Sequence, residues 1–455
     1  MELSFDLQSI QEARTLISNA QKAQKIYREF TQEQIDEIVA AIAEEARKHA
    51  EPLAKAAQAE TGFGKWKDKI IKNQFASTFV YNYIKDMKTI GLLKDDPVKK
   101  IMEVAVPVGV ITALVPSTNP TSTVIYKTLI ALKSGNAIIF SPHPSAQNCI
   151  RETATILHEA AIAAGAPAGL IVCPNLLSME GTNELMRNEG VSLILATGGE
   201  PMVKAAYSSG TPAIGVGPGN GPAFIEKTAD YALAVQRIIT SKTFDNGVIC
   251  ASEQSVVVEA CSREAVMAEF KRQGAYFLNA GESAQLGKYI LRDNGTMNPQ
   301  IVGKDVRTIA SLAGLAIPEG TKLLISEQTT VGKKNPYSRE KLAPILAFYC
   351  EENWEKACDL CIKILANEGK GHTLVLHSKD EQIIREFALK KPVSRLLINT
   401  PGSLGGIGAS TNLVPALTLG CGAVGGSSTS DNVGPLNLIN IKRAAYGVRE
   451  LNEIV

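Results

Sequence analysis

Along the first hundred residues apolar positions recur every three to four residues, the period of a helix with one buried stripe. Leu7, Ile10, Leu16, Ile17, Ala20 and Ala23 make one such stripe, and Ile35, Ile38, Val39 and Ile42 a second. Thr31 and Gln34 supply a capping box at the start of that second helix. From about residue 103 the period changes. Short apolar runs, VGVITALVP (108–116), NAIIFSP (136–142), GLIVCP (169–174) and VSLILAT (191–197), are bounded by Gly, Pro or Asn and separated by stretches long enough for helices. That alternation predicts βαβ units on a parallel sheet. Such a sheet binds ligands beyond the carboxyl ends of its strands, which directs attention to Ser117–Asn119, Ser141–His143 and Thr197–Glu200. A second series, EQSVVVEA, TKLLISEQ, HTLVLHS and SRLLINT, follows residue 250. The prediction is an α/β protein of two domains with a cleft between them. The Gly/Ser-rich stretch from GGIGAS to GCGAVGGSSTSDN (405–432) is interrupted by apolar residues and reads as ordered loop rather than linker.

A chain of 455 residues suits two or three domains. A formal charge of +1, with 45% hydrophobic and 20% charged residues, gives no reason to expect nucleic acid or a membrane surface as partner. No apolar run approaches the ~20 residues of a membrane helix. The acidic start, MELSFDLQS, lacks the basic-then-apolar pattern of a secretory signal. Eight scattered cysteines are too few for a disulfide framework, so reduced thiols in a cytoplasm are expected.

Chemistry concentrates in TFDNGVICASEQS (243–255). Cys250 follows an Asn246–Gly247 turn with no apolar periodicity around it. A cysteine is usually a small core hydrophobe, yet loop amides can favour a thiolate nucleophile; on spacing alone the two readings stand level. Cys358 and Cys361 form a CxxC on a predicted helix without a second pair, and read as core. So do Cys149, Cys173, Cys261, Cys350 and Cys421, in or beside apolar runs. GVGPGNG (215–221) resembles a dinucleotide fingerprint, but Pro218 interrupts it and no helix pattern opens from its last glycine. Of the five histidines none has metal-ligand spacing to another, so no metal is expected. His143, at a strand end, is as much a ligand-facing candidate as a solvated loop residue.

Taken in order, VPSTNPTST, NAIIFSPHP, LILATGG, KAAYSSG, TFDNGVICASEQS, EKLAPIL, GHT, LTLGCG and NVGPLNLIN resemble the aldehyde dehydrogenase superfamily over nearly the whole chain. The likeness is to its coenzyme-A-acylating branch, above all the aldehyde dehydrogenase half of bifunctional acetaldehyde/alcohol dehydrogenases, and more distantly the ethanolamine- and propanediol-utilisation enzymes. The resemblance implies a Rossmann-type cofactor domain (1–95 and 110–221), a catalytic domain (222–424), and an oligomerisation hairpin and tail (96–109 and 425–455). It implies Cys250 as the nucleophile that carries a thioester and Asn119 as the oxyanion residue. Pro116, Ser117, Thr118, Ser141, Pro142, His143, Thr197, Gly198, Gly199, Glu340 and Leu342 would hold the dinucleotide, with Glu340 on the nicotinamide ribose.

The hydrolytic members' Glu has no counterpart here. Val216 stands about where it would be, and residues 211–225 contain no carboxylate. Water needs a base to attack a thioester, whereas a thiol with pKa near ~8.5 needs less help. Coenzyme A is therefore the expected acyl acceptor, with acetaldehyde as the expected aldehyde. Propionaldehyde, succinic semialdehyde, a hydrolytic enzyme using Glu200 as base, and a non-catalytic scaffold are the alternatives. Ser141 replaces a Lys that many hydrolytic members place on the adenosine ribose, which weakens any choice between NAD and NADP; the SPHP shared with the acylating relatives favours NAD and leaves NADP open. Further expectations are a homodimer or homotetramer, an alcohol dehydrogenase as functional partner, and a cytoplasmic or microcompartment setting.

Overall fold

The computed structural model describes residues 4–453; the outermost ends of the predicted first domain and tail, residues 1–3 and 454–455, lie outside the described residues. Helices fill the chain from Phe5 to Ile84. The capping box forms as expected, with Thr31 accepting from the Gln34 N–H. The second stripe is buried throughout. In the first, Ile17, Ala20 and Ala23 are buried but Leu7 is exposed, because the opening turns of that helix run past the core.

Strands β1 (Gly91–Asp96) and β2 (Ile101–Pro107) form an antiparallel hairpin. Next come β3 (Val110–Val115), β4 (Ala137–Pro142), β5 (Ile171–Val172), β6 (Leu193–Thr197) and β7 (Ala213–Val216), a wholly parallel sheet of order β5-β4-β3-β6-β7. A second parallel sheet uses β8 (Pro222–Ile225), β9 (Ser255–Glu259), β10 (Ala275–Phe277), β11 (Leu323–Glu327), β12 (Ile345–Glu351), β13 (Gly371–His377) and β14 (Val393–Ile398), in the order β10-β11-β12-β9-β8-β13-β14. Finally β15 (Ile439–Ala445) returns to pair with β2, closing a three-stranded antiparallel sheet. All eight strand runs named from sequence are strands. The runs of β7, β8, β10 and β12 were not among them; three of these are only three or four residues long, below the length at which periodicity speaks.

Every residue of β3 and β4 is buried, as expected for central parallel strands covered by helices on both faces. The helix Pro120–Lys133 is buried all round, so it too lacks an amphipathic stripe. Its two buried lysines survive burial because their ammonium groups cap main-chain carbonyls and, for Lys133, also pair with the Asp36 carboxylate. Lys127 Nζ donates to the Leu114 and Leu195 carbonyls at 2.9 Å each, and Lys133 Nζ to that of Lys85 at 2.7 Å. In the first parallel sheet the chain winds outward from β3 through β4 to β5 and, on the other side, through β6 to β7. The crevice between β3 and β6 is therefore the topological switch point, where open α/β sheets bind ligands.

A candidate active site at the sheet switch point

A cleft of about 710 Å³ opens at that switch point. Its walls are the segments that follow β3, β4, β6 and β7, facing Cys250 and the loop that carries Glu340. The structure brings all thirteen residues named from sequence into this one cleft: Cys250, Asn119, Pro116, Ser117, Thr118, Ser141, Pro142, His143, Thr197, Gly198, Gly199, Glu340 and Leu342. Glu200, the alternative base, does not line it and is exposed at the start of the helix Glu200–Tyr207. Val216 is buried in the wall, so the stretch without acid faces the cleft with an apolar side chain.

The approach to Cys250 is more contorted than an Asn-Gly turn. Asp245, Asn246 and Gly247 have φ of 49°, 53° and 80°, three consecutive left-handed residues. Asx residues tolerate that region better than most, and glycine freely. A side chain at Gly247 would also lie 3.1 Å from the backbone of Ala343. The turn is held by Asp245, whose buried carboxylate accepts the Lys65 N–H at 2.6 Å and Lys69 Nζ at 3.0 Å and also pairs with Lys72. Asn246 Nδ2 donates to the Gly303 carbonyl at 2.9 Å.

Cys250 itself is half-buried at the base of the cleft. Gly219 lies against it so closely that a Cβ there would stand 1.9 Å from the Cys250 carbonyl oxygen. The Cys250 N–H lowers the thiol's pKa, as expected of a loop amide, but burial outweighs it. Burial, then the neighbouring Glu340 and Cys421, push the Cys250 thiol up to about 12, while Arg395 and its own N–H oppose the rise. At neutral pH the Cys250 side chain therefore rests as a protonated thiol. Glu340 Oε1 accepts the Gly219 N–H at 2.9 Å. Burial and the adjacent Glu368 raise its carboxyl to about 8. It is the one carboxylate among the described residues that line the cleft.

Asn119 ends the segment after β3 and precedes the helix Pro120–Lys133. Its amide orientation is fixed by chemistry. Lys72 Nζ, which can only donate, lies 2.6 Å from Oδ1, so Nδ2 is the end presented to the Cys250 loop, 3.1 Å from the Val248 carbonyl. The other contact of Nδ2, at 3.2 Å, is the hydroxyl of neighbouring Thr118. Lys72 was missed by sequence reasoning. Its helix, Trp66–Gln74, carries three lysines and reads as a solvated face, yet Lys69 and Lys72 are both buried. The available signal was their spacing of three, which places both on one side of the helix.

At the other end, Gly198 and Gly199 precede the helix Glu200–Tyr207, whose first N–H groups have no side-chain cap. A Cβ at either glycine would meet nothing closer than 3.8 Å, and one at Gly217 nothing within 4 Å. None of the three has a left-handed φ. Neither packing nor conformation therefore requires glycine here, and the free space lies beside a helix N terminus, the arrangement that admits a phosphate. A dinucleotide fits this lining. His143 is exposed at the cleft mouth, its Nδ1 engaged by the Ser145 hydroxyl at 2.8 Å.

Elsewhere, Cys358 and Cys361 are buried on the helix Trp354–Asn367, as expected of core residues. Cys261 and Cys350 are not core: both are exposed, because the apolar runs beside them end before they do. Cys173 is half-buried. Among the described residues no cluster of His, Cys, Asp or Glu is arranged to hold a metal, and no helix is long and apolar enough to cross a membrane.

The sequence pattern of the aldehyde dehydrogenase family matches residues 4–346. The bifunctional aldehyde-alcohol dehydrogenase AdhE of Escherichia coli (strain K12) is 50% identical over 442 residues, 96% of this chain and 50% of that protein. The chain thus spans about half the length of the curated relatives that it matches first. A probable aldehyde dehydrogenase from Listeria monocytogenes EGD-e is 65% identical with a TM-score of 0.98, each chain covered in full. An acetylating aldehyde dehydrogenase from Geobacillus thermoglucosidasius is 52% identical, with a TM-score of 0.97 over 99% of both chains. A propionaldehyde dehydrogenase from Rhodopseudomonas palustris, solved with bound CoA and an acylated cysteine, is 26% identical with a TM-score of 0.86, covering 95% of this chain and 97% of that one. With the switch-point cleft, Cys250 and Asn119 together in its lining, and these likenesses, the chain belongs to the aldehyde dehydrogenase family.

Proposed function

We propose that the chain is a coenzyme-A-acylating aldehyde dehydrogenase, converting an aldehyde, CoA and NAD to an acyl-CoA and NADH through a thioester on Cys250. One observation carries the acyl acceptor: the wall facing the nucleophile holds Val216 where a hydrolytic enzyme needs a carboxylate. Relatives that are acetylating enzymes support it.

Cys250 Sγ attacks the carbonyl and gives a hemithioacetal. Asn119 Nδ2 exchanges its weak bond to Thr118 for the developing oxyanion; one such donor is worth roughly 3–4 kcal/mol. NAD, when bound, supplies the hydride acceptor, and Glu340 and the Gly198–Gly199 turn are the residues to hold its ribose and phosphates. Loss of its C–H as hydride to that acceptor and of its hydroxyl proton would turn the hemithioacetal into the thioester; attack by the CoA thiol then breaks the Cys250 C–S bond and returns the proton to Cys250 Sγ. In the reverse sense the same groups reduce an acyl-CoA.

The lining also supports the finer assignments. The walls nearest Cys250 are apolar, contributed by Met297, Leu342, Ile407, Leu417 and Leu419. Apart from His143 at the mouth, the one cationic side chain of the lining is Lys72, already paired with Asp245. A carboxylate-bearing aldehyde would find no counter-ion, so a small apolar aldehyde such as acetaldehyde is the substrate. The missing arginine likewise disfavours a 2′-phosphate and supports NAD. Strand β15 has one flank on β2 and the other free, and the tail around it exposes Ile441, Tyr446, Val448 and Leu451. An apolar free edge of this kind pairs with a second copy, so the working enzyme is a homodimer or a larger assembly. Light scattering that returns a monomer mass refutes this. An alcohol dehydrogenase, to which the E. coli relative is joined, would supply or remove the aldehyde.

The primary test is NADH formation from acetaldehyde and NAD, with and without CoA. Sustained turnover with CoA alone is expected. Multiple turnovers releasing acetate in its absence refute the acylating reading.

A further inference from the structure

Lys72 is buried, lies in the wall of the cleft and uses all three of its N–H donors. They go to Asp245 Oδ2, to Asn119 Oδ1 at 2.6 Å and to the Val248 carbonyl at 3.3 Å. The Val248 carbonyl is also the acceptor for Asn119 Nδ2. A cation, a side-chain amide and a loop carbonyl two residues before Cys250 thus form a closed ring. Asp245 and Lys69, which donates to both Asp245 at 3.0 Å and the Thr118 carbonyl at 3.0 Å, brace the ring from behind. Lys69 and Lys72 share the Asp245 carboxylate, with Asp68 on the Asp245 N–H, and of these groups it is Lys72 that reaches the oxygen of the Asn119 amide.

We propose that Lys72 is a positioning residue for the reaction: it locks the Asn119 amide with nitrogen toward the reacting carbonyl and polarises it, strengthening Nδ2–H as the oxyanion donor. The inference rests on Asn119 serving as that donor in the acylating reaction proposed above. The physical basis is twofold. Without a donor on Oδ1 the amide can turn over and present oxygen, which repels an oxyanion. A charge-assisted bond to Oδ1 also draws electron density from the amide nitrogen, and in a low-dielectric wall such coupled bonds reinforce one another. A lysine serving only as a structural counter-ion to Asp245 would satisfy the charge without reaching Asn119.

The test is a double-mutant cycle. NADH formation with acetaldehyde and CoA is measured for the wild type, Lys72→Met, Asn119→Ala and the double variant. Loss of an oxyanion donor costs about 10²–10³ in kcat, and Asn119→Ala should fall in that range. Lys72→Met should lower kcat by about 10- to 100-fold with KM values within about threefold, and Lys72→Gln, which keeps a donor without the charge, should lie between it and the wild type. The decisive result is that Lys72→Met causes no further loss in the Asn119→Ala background. If the two losses multiply, Lys72 acts independently of Asn119 and the proposal is overturned.

Should the Lys72 variants fail to fold, the pH profile of the wild type and Asn119→Ala serves instead. Burial lowers the Lys72 ammonium to about 8 against the pull of Asp245, with Lys69 adding to the fall and Asp68 opposing it. As pH rises through 8 one proton is lost, the two remaining N–H groups must serve three acceptors, the bond to Oδ1 is no longer charge-assisted, and kcat should decline. Glu340, in the same cleft, also titrates near 8, so the part of the decline that exceeds that of Asn119→Ala reports Lys72; an identical decline in the two proteins overturns the proposal. Failure of the acylating reading itself would show differently, as wild-type turnover that does not need CoA.

Discussion

Replacing Gly219 by alanine probes the geometry of the nucleophile directly. The added Cβ would stand 1.9 Å from the Cys250 carbonyl oxygen, 2.8 Å from its carbonyl carbon and 3.3 Å from the His372 ring. The first contact is about 1.1 Å short of the 3.0 Å that real Cβ atoms respect, and its partner is backbone, which cannot swing aside. The relief must come from moving the Cys250 segment or the 217–221 loop, whose Gly219 N–H also holds Glu340. Gly219 has no left-handed φ, so the expected loss is steric rather than conformational. A misplacement of about 1 Å at the reacting atom costs roughly 100-fold in rate, and overpacking costs about 1–3 kcal/mol of stability. The assay is steady-state NADH formation with saturating acetaldehyde, NAD and CoA, alongside thermal melting. Gly217→Ala is the control: its Cβ meets nothing within 4 Å, so melting should be unchanged and any loss should appear in the KM for NAD. Gly219→Ala with more than a third of wild-type kcat would refute the claim that this backbone contact sets the position of Cys250.

The remaining predictions concern the thiol, its neighbour and a buried acid. Cys250→Ala should abolish turnover while leaving the melting temperature nearly unchanged; retained turnover would remove the catalytic assignment. Iodoacetamide should alkylate Cys250 of the free enzyme slowly at pH 7 and faster toward high pH, because burial holds the thiol up near 12. Glu340 is anionic above about pH 8 and opposes the thiolate, so Glu340→Gln should speed alkylation above that pH; an unchanged rate would mean the two groups do not interact. Glu253 is fully buried, with Oε1 on the Gly402 N–H and Oε2 without a partner, and burial raises it to about 7. A carboxyl with a raised folded pKa lowers stability as pH rises from its unfolded value of ~4.3 through 7, by about 4 kcal/mol at most. Glu253→Gln should therefore flatten the denaturation-midpoint profile across that window and be more stable than the wild type at pH 8; lower stability at pH 8 would refute the unpartnered-carboxylate reading.

How far the site could be read from sequence follows from the range of each signal. Strand ends and the residues just after them are local features, so Pro116–Asn119, Ser141–His143 and Thr197–Gly199 were legible from apolar runs that stop at Pro, His or Gly. The nucleophile was ambiguous from its own surroundings, and motif order over the whole chain was needed to single it out. Lys72 was illegible because burial of a lysine depends on Asp245, which lies 173 positions away. The strand β12 was missed although it is seven residues long and follows Pro344, since its run begins inside the EKLAPIL motif.

The chain by itself determined the α/β alternation, the absence of a carboxylate between residues 211 and 225, and the Asn-Gly turn before Cys250, because period, composition and turn residues are local properties. Tertiary structure alone decided the rest. It brought segments separated by more than a hundred residues into one cleft and made Glu340 the carboxylate nearest the nucleophile's wall. It also pushed the thiol of Cys250 up rather than down and turned the Asn119 amide by placing a buried ammonium behind it. Those outcomes depend on desolvation and on Coulomb interactions between groups remote in sequence, and both are set only when the core closes around them.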